Sequence, residues 1–432
     1  MRESTLLFAV PIELMQKKKF YQMDKDERLL FLRNVANLSE SQIELLANPC
    51  SSINFDTING MIENAIGTIS IPLGIATDFL INGKEYFVPL ATEEPSVIAA
   101  CSKAAKIARN SGGFRAYANE AIMIGQVQLV SVSFPESGLK VLLNKAKLLS
   151  IANNTGKSVK ATDINVKWLD DLINSGAGKM LIVEIIVNTR DAMGANAINT
   201  MCEAISPALE QITDGKAVVR VLSNYATRRL VRCNAVFHKE DLGGEHIVDR
   251  ILYSYSFAYS DVYRAVTHNK GIMNGIDALA IATGQDFRAI EAAAHAYASK
   301  DGTYRSMTRW KKTSDGDLLG ELELPIAVGI VGGVTNVHPM VMLALKLLGV
   351  ESSANLAKVF SAVGLAQNLS AILALVTVGI QKGHMRLHAR NVAISAGARG
   401  NQIDIVASKM IREGKVSASR AKEIVLSMID QI

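Results

Sequence analysis

Hydrophobic and polar positions change their spacing several times along this chain of 432 residues. Over 27–33 the apolar side chains recur at the spacing of a helix face, and residues 1–50 as a whole have a helical pattern. Residues 125–133 alternate apolar and polar side chains, whereas 180–187 form an unbroken apolar run. Both of the latter patterns are typical of β-strands, so the chain is predicted to combine helices with strands.

Turn signals predict a hairpin and a helix early in the chain. Asn82-Gly83 lies between two apolar runs and predicts the two-residue turn of a β-hairpin. Ser96 is predicted to cap a helix over 97–110, which Gly112-Gly113 ends.

The pattern of apolar and polar residues changes near residue 114. From there the pattern predicts four strands and two helices, namely strands at 125–133, 164–168, 180–187 and 217–222 and helices at 139–153 and 191–212. This order predicts a small sheet covered by helices on one side, an α+β unit of about 100 residues inserted between two halves of a larger domain.

The rest of the chain is predicted to be mainly helical. Residues 245–300 are rich in alanine, and a strand at Leu318–Leu324 is followed by a glycine-rich turn at 329–335. The later helices are predicted at 339–348, 353–363 and 364–381. A hinge is predicted at Lys382-Gly383, after which a polar, helical tail resembles a small separate lid.

Composition narrows the functional classes. Hydrophobic residues make up 49% of the chain and charged residues 20%, so large buried cores are expected. The net charge of +5 comes without a basic-aromatic stripe, which argues against nucleic acid as a partner. The 4 cysteines form no CxxC pair, so neither a disulfide framework nor a metal site is expected. The apolar runs are shorter than the roughly 18 residues that span a bilayer, and we expect a soluble, cytoplasmic protein with no membrane partner.

The segment Asp191-Ala-Met-Gly-Ala-Asn196 follows a strand pattern and opens a predicted helix. A glycine here lets a ligand approach the backbone, and a free helix N-terminus attracts a pyrophosphate. The alternative is an ordinary strand–helix turn with an aspartate cap. Because the chain has no G-x-G-x-x-G motif in a strand–helix context, any dinucleotide is expected to bind in a non-Rossmann manner.

A glutamate and a lysine are the first two candidates for chemistry. Glu93-Glu94 precedes a helix start, where a carboxylate either complements the helix dipole or, if buried, acts as a general acid. Lys270 is interpreted as part of a glycine-flanked turn, where a lysine is either solvated or a fixed cation for an oxyanion. Arg264, six residues earlier, adds a second cation that suits an anionic substrate group.

An aspartate and a histidine complete the set. Asp286 either caps a following helix or belongs to the same charged cluster. His384 and His388 are spaced as neighbours on a helix face, but no nearby carboxylate supports a metal site. A cation, an acid and an imidazole together suit the reduction of a carbonyl and the protonation of a leaving group.

In order, these segments resemble 3-hydroxy-3-methylglutaryl-CoA (HMG-CoA) reductase, specifically its soluble class II form. The resemblance covers most of the chain beyond residue 55. It is carried by the segments 63–67, 92–96, 191–196, 222–224, 263–277, 282–286, 331–335, 364–368 and 383–385. The long run 263–277, Tyr-Arg-Ala-Val-Thr-His-Asn-Lys-Gly-Ile-Met-Asn-Gly-Ile-Asp, is the most specific of them.

The resemblance implies reduction of HMG-CoA to mevalonate and CoA by two reduced nicotinamides. It assigns catalytic roles to four residues: Lys270 stabilises the oxyanion, Glu94 transfers the proton, Asp286 tunes both, and His384 protonates the CoA thiolate. It implies substrate contacts for Arg264, Ser96, Asn368 and Asn274. It implies dinucleotide contacts for Asp191, Met193, Gly194, Ala195, Asn196 and Asn224, and no metal.

The resemblance also implies an α+β architecture. Residues 1–113 and 218–382 are expected to form a large, mostly helical HMG-CoA-binding domain. Residues 114–217 are expected to form a ferredoxin-like, non-Rossmann dinucleotide domain, and 383–432 a C-terminal helical flap. Family members are homodimers with active sites at the subunit interface, with higher assemblies of dimers possible, so Glu94 and Lys270 need not belong to one chain.

The choice between NADPH and NADH rests on one departure from the family pattern. The aspartate that contacts the ribose in NADH-selective members aligns with Ile151 here, while Lys157 and Lys160 lie nearby. Losing the acid removes a repulsion against a 2′-phosphate, so NADPH is favoured and NADH stays open.

Three alternative functions remain at this point. The same site run in reverse would be a catabolic mevalonate:NAD oxidoreductase. A CoA-ester binding protein without turnover would not need the catalytic set. A dehydrogenase for another CoA thioester would leave the Arg264 and Ser96 site unused.

Overall fold

The computed structural model describes residues 18–48, 53–377 and 379–429, with side chains except at 380–387 and 429. The first part is helical, with a short 3₁₀ turn at Phe20–Gln22 followed by α1 (Lys25–Ala36), α2 (Glu40–Ala47) and α3 (Phe55–Met61). Asp24 caps α1 in a reciprocal capping box with Glu27, which explains why the helix begins there. The helical prediction for residues 1–50 is therefore confirmed over 18–48.

The predicted hairpin and the helix after it are both present. Strands β1 (Leu73–Ile81) and β2 (Lys84–Ala91) flank Asn82 and Gly83, whose φ values of 50° and 80° give the left-handed turn that such hairpins favour. Helix α4 (Val97–Asn110) then packs on β1. Ser96 stands before α4, but its side chain makes no capping hydrogen bond. That part of the prediction is wrong because its backbone, at φ 73°, is not in the extended region of a capping residue.

A small unit of three helices and one four-stranded sheet follows. In chain order its elements are β4 (Ile122–Val130), α5 (Glu136–Leu143), α6 (Lys145–Asn153), β5 (Lys160–Leu169), β6 (Met180–Asn188), α7 (Ala195–Thr213) and β7 (Lys216–Ser223). The strands pair antiparallel in the order β5-β6-β4-β7. This βαββαβ order is the ferredoxin-like arrangement, and it contains no parallel, Rossmann-type pairing.

Two details of the small unit differ from the sequence prediction. The helix predicted over 139–153 is divided at Asn144, whose side-chain amide donates to the Lys140 carbonyl over 2.9 Å and so competes with the helix ladder. The following helix begins at Ala195 rather than at 191, because Gly194 takes φ 100° at its N-cap. Asp191 is therefore not the cap of that helix.

A second four-stranded sheet belongs to the larger part of the molecule. Its antiparallel order is β3-β8-β10-β9, from β3 (Arg115–Ala118), β8 (Leu230–Phe237), β9 (Thr308–Lys312) and β10 (Leu318–Pro325). Only β10 was predicted from the sequence. β3 and β9 have only 4 and 5 residues, too few for a clear pattern. β8 was not predicted although its residues alternate between buried and less buried positions.

Helices surround this sheet. They are α8 (Lys239–Leu242), α9 (Glu245–Ser260), α10 (Val262–Ala282), α11 (Phe287–Ala298), α12 (Pro339–Leu348) and α13 (Ser353–Val376), with a 3₁₀ turn at Gly333–Asn336. Helix α13 is continuous, although the sequence predicted two helices meeting at 363–364. Gly364 marks no boundary; a Cβ there would meet Ile276 and Leu322 at 3.0 Å, so the glycine allows close packing.

Helix α13 is also long and apolar. Within the described residues it is the one helix whose length and mean hydropathy, 1.8, would suffice to cross a membrane, and 83% of that window is buried inside the structure. It packs on α4, α9 and α10 and on the second sheet, so its apolar character is accounted for by its place in the core.

The C-terminal part has a core of its own. Helices α14 (Ile380–Ser395), α15 (Gln402–Arg412) and α16 (Ala418–Ile429) pack through buried side chains such as Ala393, Val406 and Met410. The break between α13 and α14 lies at Thr377 and Gly379, where Gly379 has φ 80°. Lys382-Gly383 is helical, so the hinge predicted there is wrong.

Candidate active site

Lys270 projects from the middle of α10. The helix is capped by Asp261, whose carboxylate accepts a hydrogen bond from the Arg264 amide over 2.7 Å. The glycine-flanked turn predicted around Lys270 is not present. Gly275 instead lets α13 approach, because a Cβ there would lie 2.9 Å from a methyl group of Val363. Gly275 therefore serves helix packing, and Lys270 stands inside a helix rather than in a turn.

Glu94 meets Lys270 within a single chain. The Lys270 ammonium donates to Glu94 Oε2 over 2.7 Å, and the Asn274 amide, one turn further along α10, lies 3.3 Å from Glu94 Oε1. The side chain of Glu94 is 38% exposed and that of Lys270 60% exposed. The pair is thus preformed but open to solvent on one side, and Glu94 is not the fully buried acid that the sequence allowed.

A cleft of about 480 Å³ surrounds this pair. Six of the residues that the resemblance assigned to catalysis or to substrate line it: Glu94, Ser96, Arg264, Lys270, Asn274 and Asn368. Burial lowers the pKa of Arg264 below its usual range. Lys103 lines the cleft as well, so three cations and the Glu94 carboxylate face it. Such a cleft suits a substrate that carries both an anionic group and a carbonyl.

A buried polar cluster forms the floor of the cleft. The Asn368 carbonyl oxygen accepts from the Thr308 hydroxyl over 2.8 Å and from the Trp310 indole over 3.0 Å, while its amide lies 3.2 Å from His268 Nε2. Ser306 Oγ also lies 2.9 Å from His268 Nε2. Asn368 is 1% exposed, so its side chain is engaged in the protein behind the cleft wall.

His268 is neutral in this environment. Burial, reinforced by the Arg264 cation, lowers the pKa of His268 to about 3. It therefore does not act as an imidazolium donor at neutral pH. Its neighbour Asn269 is fully buried and bonds the Arg305 carbonyl at 2.8 Å and the Met307 amide at 2.9 Å.

The cluster was missed by the sequence analysis. His268 and Asn269 lie within the specific run 263–277, but their partners in 305–310 lie some distance along the chain and form no local motif. Together these contacts attach the turn of α10 that carries Lys270 to strand β9. They fix how the helix is rotated, and thereby where Lys270 points.

Asp286 occupies a different position from the other charged residues. It caps α11 by accepting from the Ala289 amide over 3.1 Å, and Arg288 lies 3.3 Å away. It is not among the described residues that line the cleft. The preceding residue, Gln285, bonds both the amide and the carbonyl of Gly329, at 2.8 and 2.9 Å.

The 189–194 loop, comprising residues 189–194 between β6 and α7, carries part of the predicted dinucleotide set. Gly194 forms the N-cap of α7, a helix of 19 residues, with no side-chain cap on its free amides. Asp191 Oδ1 accepts instead from the Ser353 amide at the start of α13, over 2.8 Å. Asn224 follows β7 and is exposed. The loop thus offers an uncapped helix N-terminus, the feature that favours a phosphate group.

Two further expectations concern His384 and metals. His384 belongs to α14, but its side chain lies outside the described residues. Among the side chains that are described, no three His, Cys, Asp or Glu residues come together as metal ligands.

Comparison with known proteins agrees with this geometry. The family model described as hydroxymethylglutaryl-coenzyme A reductase matches residues 24–389. The 3-hydroxy-3-methylglutaryl-coenzyme A reductase of Archaeoglobus fulgidus is 48% identical over 413 residues, which cover 94% of this chain and 93% of that protein. A probable enzyme of the same name from Borreliella burgdorferi is 35% identical over 84% of each chain.

Solved structures give the same result. The reductase of Streptococcus pneumoniae superposes with a TM-score of 0.79 and 38% identity, covering 95% of this chain and 99% of that chain. A class II reductase from the same organism, bound to NADPH in open conformations, gives a TM-score of 0.78 and 39% identity over 94% of this chain and 100% of that one. The chain belongs to the hydroxymethylglutaryl-coenzyme A reductase family, a family of oxidoreductases, and the resemblance read from its motifs is confirmed.

Proposed function

We propose that this protein reduces HMG-CoA to mevalonate and CoA. The observation that carries the proposal is the 2.7 Å contact between Lys270 and Glu94 in a cleft that Arg264 also lines. An acid–cation pair at one point can stabilise and then protonate an oxygen that gains negative charge. The family membership supports the same substrate.

The chemistry requires the pair to act twice. A bound reduced nicotinamide supplies one hydride to the thioester carbon and a second one supplies a hydride to the aldehyde that follows. In each step Lys270 holds the oxygen as it becomes negative, and Glu94 exchanges its proton. Arg264 and Ser96, which also line the cleft, hold the substrate carboxylate, and Asn274 keeps Glu94 in place.

His384 is assigned to the leaving group. Cleavage of the intermediate between the two reductions releases the CoA thiolate, whose pKa near 8.5 makes an imidazolium a suitable proton donor. Leu375 and Thr377 line the cleft at the end of α13, and the chain continues directly into α14, which carries His384. The proposed flap, 383–432, therefore starts at the rim of the cleft.

The remaining domains have corresponding roles in this proposal. The larger part, predicted as 1–113 and 218–382, binds HMG-CoA, and the small unit, predicted as 114–217, binds the dinucleotide through the 189–194 loop and the first turn of α7. Because β3 belongs to the larger sheet and β7 extends to Ser223, the small unit of the structure spans 122–223. The amides of the 189–194 loop and of the first turn of α7 would hold the pyrophosphate, and Asn224 would contact the nicotinamide. The uncapped N-terminus of α7 supports this assignment.

NADPH is the favoured cofactor. Lys160 pairs with Asn188 across the small sheet, and Arg190 follows two residues later with its guanidinium 3.5 Å from the Lys157 carbonyl. Lys157, Lys160 and Arg190, the last of which belongs to the loop, thus lie at the same end of the sheet. Ile151, which aligned with the acid of NADH-selective members, packs partly buried against the core of the small unit. No carboxylate at 151 opposes a 2′-phosphate.

We also infer that a second copy of the chain completes the site. Lys270 is open to solvent, and Asp286 and the 189–194 loop lie apart from its cleft. Tyr263 and Val266, two turns and one turn before Lys270, are 89% and 50% exposed, and Phe257 of α9 is 58% exposed. Exposed apolar side chains beside a reactive group are typical of an interface. Sedimentation of the purified protein tests this inference; a monomer at micromolar concentration contradicts it.

The direct test of function is the loss of reduced-nicotinamide absorbance with HMG-CoA, measured in parallel with NADPH and NADH. Oxidation of two nicotinamides for each CoA released supports the proposal, and the faster cofactor identifies the preference. Absence of oxidation with either cofactor, from folded protein, contradicts it and favours another thioester or binding without turnover.

A further inference from the structure

Arg229 is a buried arginine at the start of β8 that the proposed mechanism does not use. It is 5% exposed, and its guanidinium bonds one hydroxyl and three backbone carbonyls rather than a carboxylate. Nη1 lies 3.0 Å from Thr189 Oγ1, 3.1 Å from the Ala192 carbonyl and 3.4 Å from the Met193 carbonyl, and Nη2 donates to the Val328 carbonyl. Three of these four acceptors belong to the 189–194 loop.

The guanidinium is charged at neutral pH. Burial lowers the pKa of Arg229 to about 10, and the nearby Asp191 carboxylate opposes that shift. A buried cation is costly unless its donors are satisfied, so the carbonyls around it are held firmly in place. The contacts also place a positive charge directly behind the loop.

The direction of these carbonyls determines where the loop amides point. A peptide unit is planar and trans, so its carbonyl and its N–H point in opposite directions. Because the Ala192 and Met193 carbonyls face Arg229, the amides of Met193 and Gly194 face away from it. Among the described residues neither amide has a protein acceptor within hydrogen-bond distance. Successive free amides of this kind form a concave anion site.

A second element holds the loop from another side. Gly329 packs so closely that a Cβ there would lie 2.5 Å from the Met193 nitrogen and 2.9 Å from the Ala192 carbonyl carbon. The Ile330 amide bonds the Asp191 carbonyl over 2.9 Å. Gln285 in turn holds Gly329 on both its amide and its carbonyl. No side chain larger than hydrogen fits at 329 unless the loop moves.

We propose that Arg229 is a positioning residue for dinucleotide binding. It turns the carbonyls of the 189–194 loop inward so that the loop amides are free for the pyrophosphate, while Gly329 sets the distance at which the loop lies. The inference rests on the proposed function, since it takes this loop as the dinucleotide site. It adds a residue from outside the small unit to that site.

The first test compares Arg229→Ala with Arg228→Ala, which removes the exposed arginine one position earlier. Dissociation constants for NADPH and for HMG-CoA are measured separately on protein whose folding is checked by its melting curve. We expect Arg229→Ala to weaken NADPH binding by at least about tenfold, a loss of about 1.4 kcal/mol, with HMG-CoA binding unchanged. Millimolar guanidinium, which fits the space left by the side chain, is expected to restore part of the NADPH affinity of Arg229→Ala and to leave Arg228→Ala unaffected.

The second test keeps the cation and moves the loop. Gly329→Ala is compared with Gly60→Ala in α3, where a Cβ would meet nothing within 4 Å. We expect Gly329→Ala to weaken NADPH binding selectively even if Arg229→Ala does not fold. Wild-type NADPH affinity in folded Gly329→Ala, or an equal loss of both ligands, overturns the inference. If the wild-type protein binds HMG-CoA but no dinucleotide, it is the proposed function that fails.

Discussion

The cleft around Lys270 and the 189–194 loop differ in the kind of group that each presents and in what supports those groups. In the cleft, the groups proposed to react are side chains, and they remain partly exposed: 60% for Lys270 and 38% for Glu94. In the loop, the groups proposed to bind are backbone amides, and they are oriented by a guanidinium that is 5% exposed. The cleft is supported from below by the cluster around His268 and Asn368, whereas the loop is enclosed from behind by Arg229 and Gly329.

This difference suggests when each site is completed. The loop has its supporting contacts within one chain, so it is expected to bind a dinucleotide without rearrangement. The cleft lacks cover, and exposed charges are weakened by water. Its reactivity is therefore expected to depend on what closes over it, namely the flap and the second copy proposed above.

The largest expected effect comes from removing the exposed cation. Lys270→Ala should lower kcat with HMG-CoA by about 10²–10³-fold, as loss of an oxyanion donor does, and leave the NADPH dissociation constant unchanged. Steady-state kinetics and a separate binding titration check both parts. Lys106→Ala, an exposed lysine of α4 outside the cleft, is the control. Turnover near the wild-type level would break the assignment of the cleft as the reacting site.

A comparable but more selective effect is expected at His384. The histidine that lines the described part of the cleft, His268, is neutral and so is not the imidazolium that protonates the thiolate. His384→Gln should reduce turnover of HMG-CoA by about 10²-fold and spare the reduction of free mevaldehyde, which expels no thiolate. His388→Gln, an exposed histidine one turn further along α14, serves as the control. Equal losses with the two substrates would contradict the leaving-group role.

A smaller effect is expected from the floor of the cleft. Thr308→Val removes the hydroxyl that joins His268, Asn368 and Trp310 without changing the shape of the side chain. We expect kcat to fall by about tenfold, because displacing a reacting group by about 1 Å lowers the reaction rate by up to about 10²-fold. NADPH binding should not change. Thr313→Val in the turn after β9 is the control. An unchanged kcat in Thr308→Val would contradict the prediction that the cluster positions Lys270.

The smallest effect concerns stability and pH. Asp277 lies two turns after Lys270 on α10, its Oδ1 is buried without a hydrogen-bond partner, and Glu291 of α11 is its neighbour. Burial first, and Glu291 second, raise the pKa of Asp277 to about 8, from an ordinary value of 3.8. The folded protein therefore keeps a proton that the unfolded chain releases, and this contribution to stability is lost as pH rises from about 4 to about 8.

Melting temperatures measured near pH 5 and pH 8 test this sign. Asp277→Asn keeps a neutral side chain at both pH values, so its Tm should fall less from pH 5 to pH 8 than that of the wild type. The two falls should differ by about 2–4 °C for each kcal/mol of difference in stability. Asp315→Asn in the exposed turn between β9 and β10 should behave like the wild type. A larger fall in Tm from pH 5 to pH 8 for Asp277→Asn than for the wild type would contradict the raised pKa of Asp277.

Much of the fold was predictable because its signals are local. Asn82-Gly83 specifies a hairpin turn by backbone conformation alone, and the alternating strands of the small sheet specify which face is buried. The division of α5 from α6 and the continuity of α13 were not predicted. Asn144 ends a helix by a side-chain bond, and Gly364 fits a contact with residues distant in sequence.

The candidate site was likewise predictable from local motifs but not from contacts between residues distant along the chain. The segments 92–96 and 263–277 helped to identify the family and contain the two partners in the Glu94–Lys270 contact. They did not show that Lys270 stands inside a helix, that Asn368 faces a buried cluster, or that Asp286 lies apart from the cleft in this chain. Arg229 carries no motif at all.

The sequence by itself determined the family and the ferredoxin-like small unit, and it singled out the two side chains proposed to react, because short segments with specific residue types carry that information. Only the tertiary structure decided which of the remaining polar residues are engaged with one another and which are free. Hydrogen bonding and burial depend on neighbours that are distant along the chain. Thr308 lies 60 residues from Asn368, and Arg229 lies 99 residues from Val328.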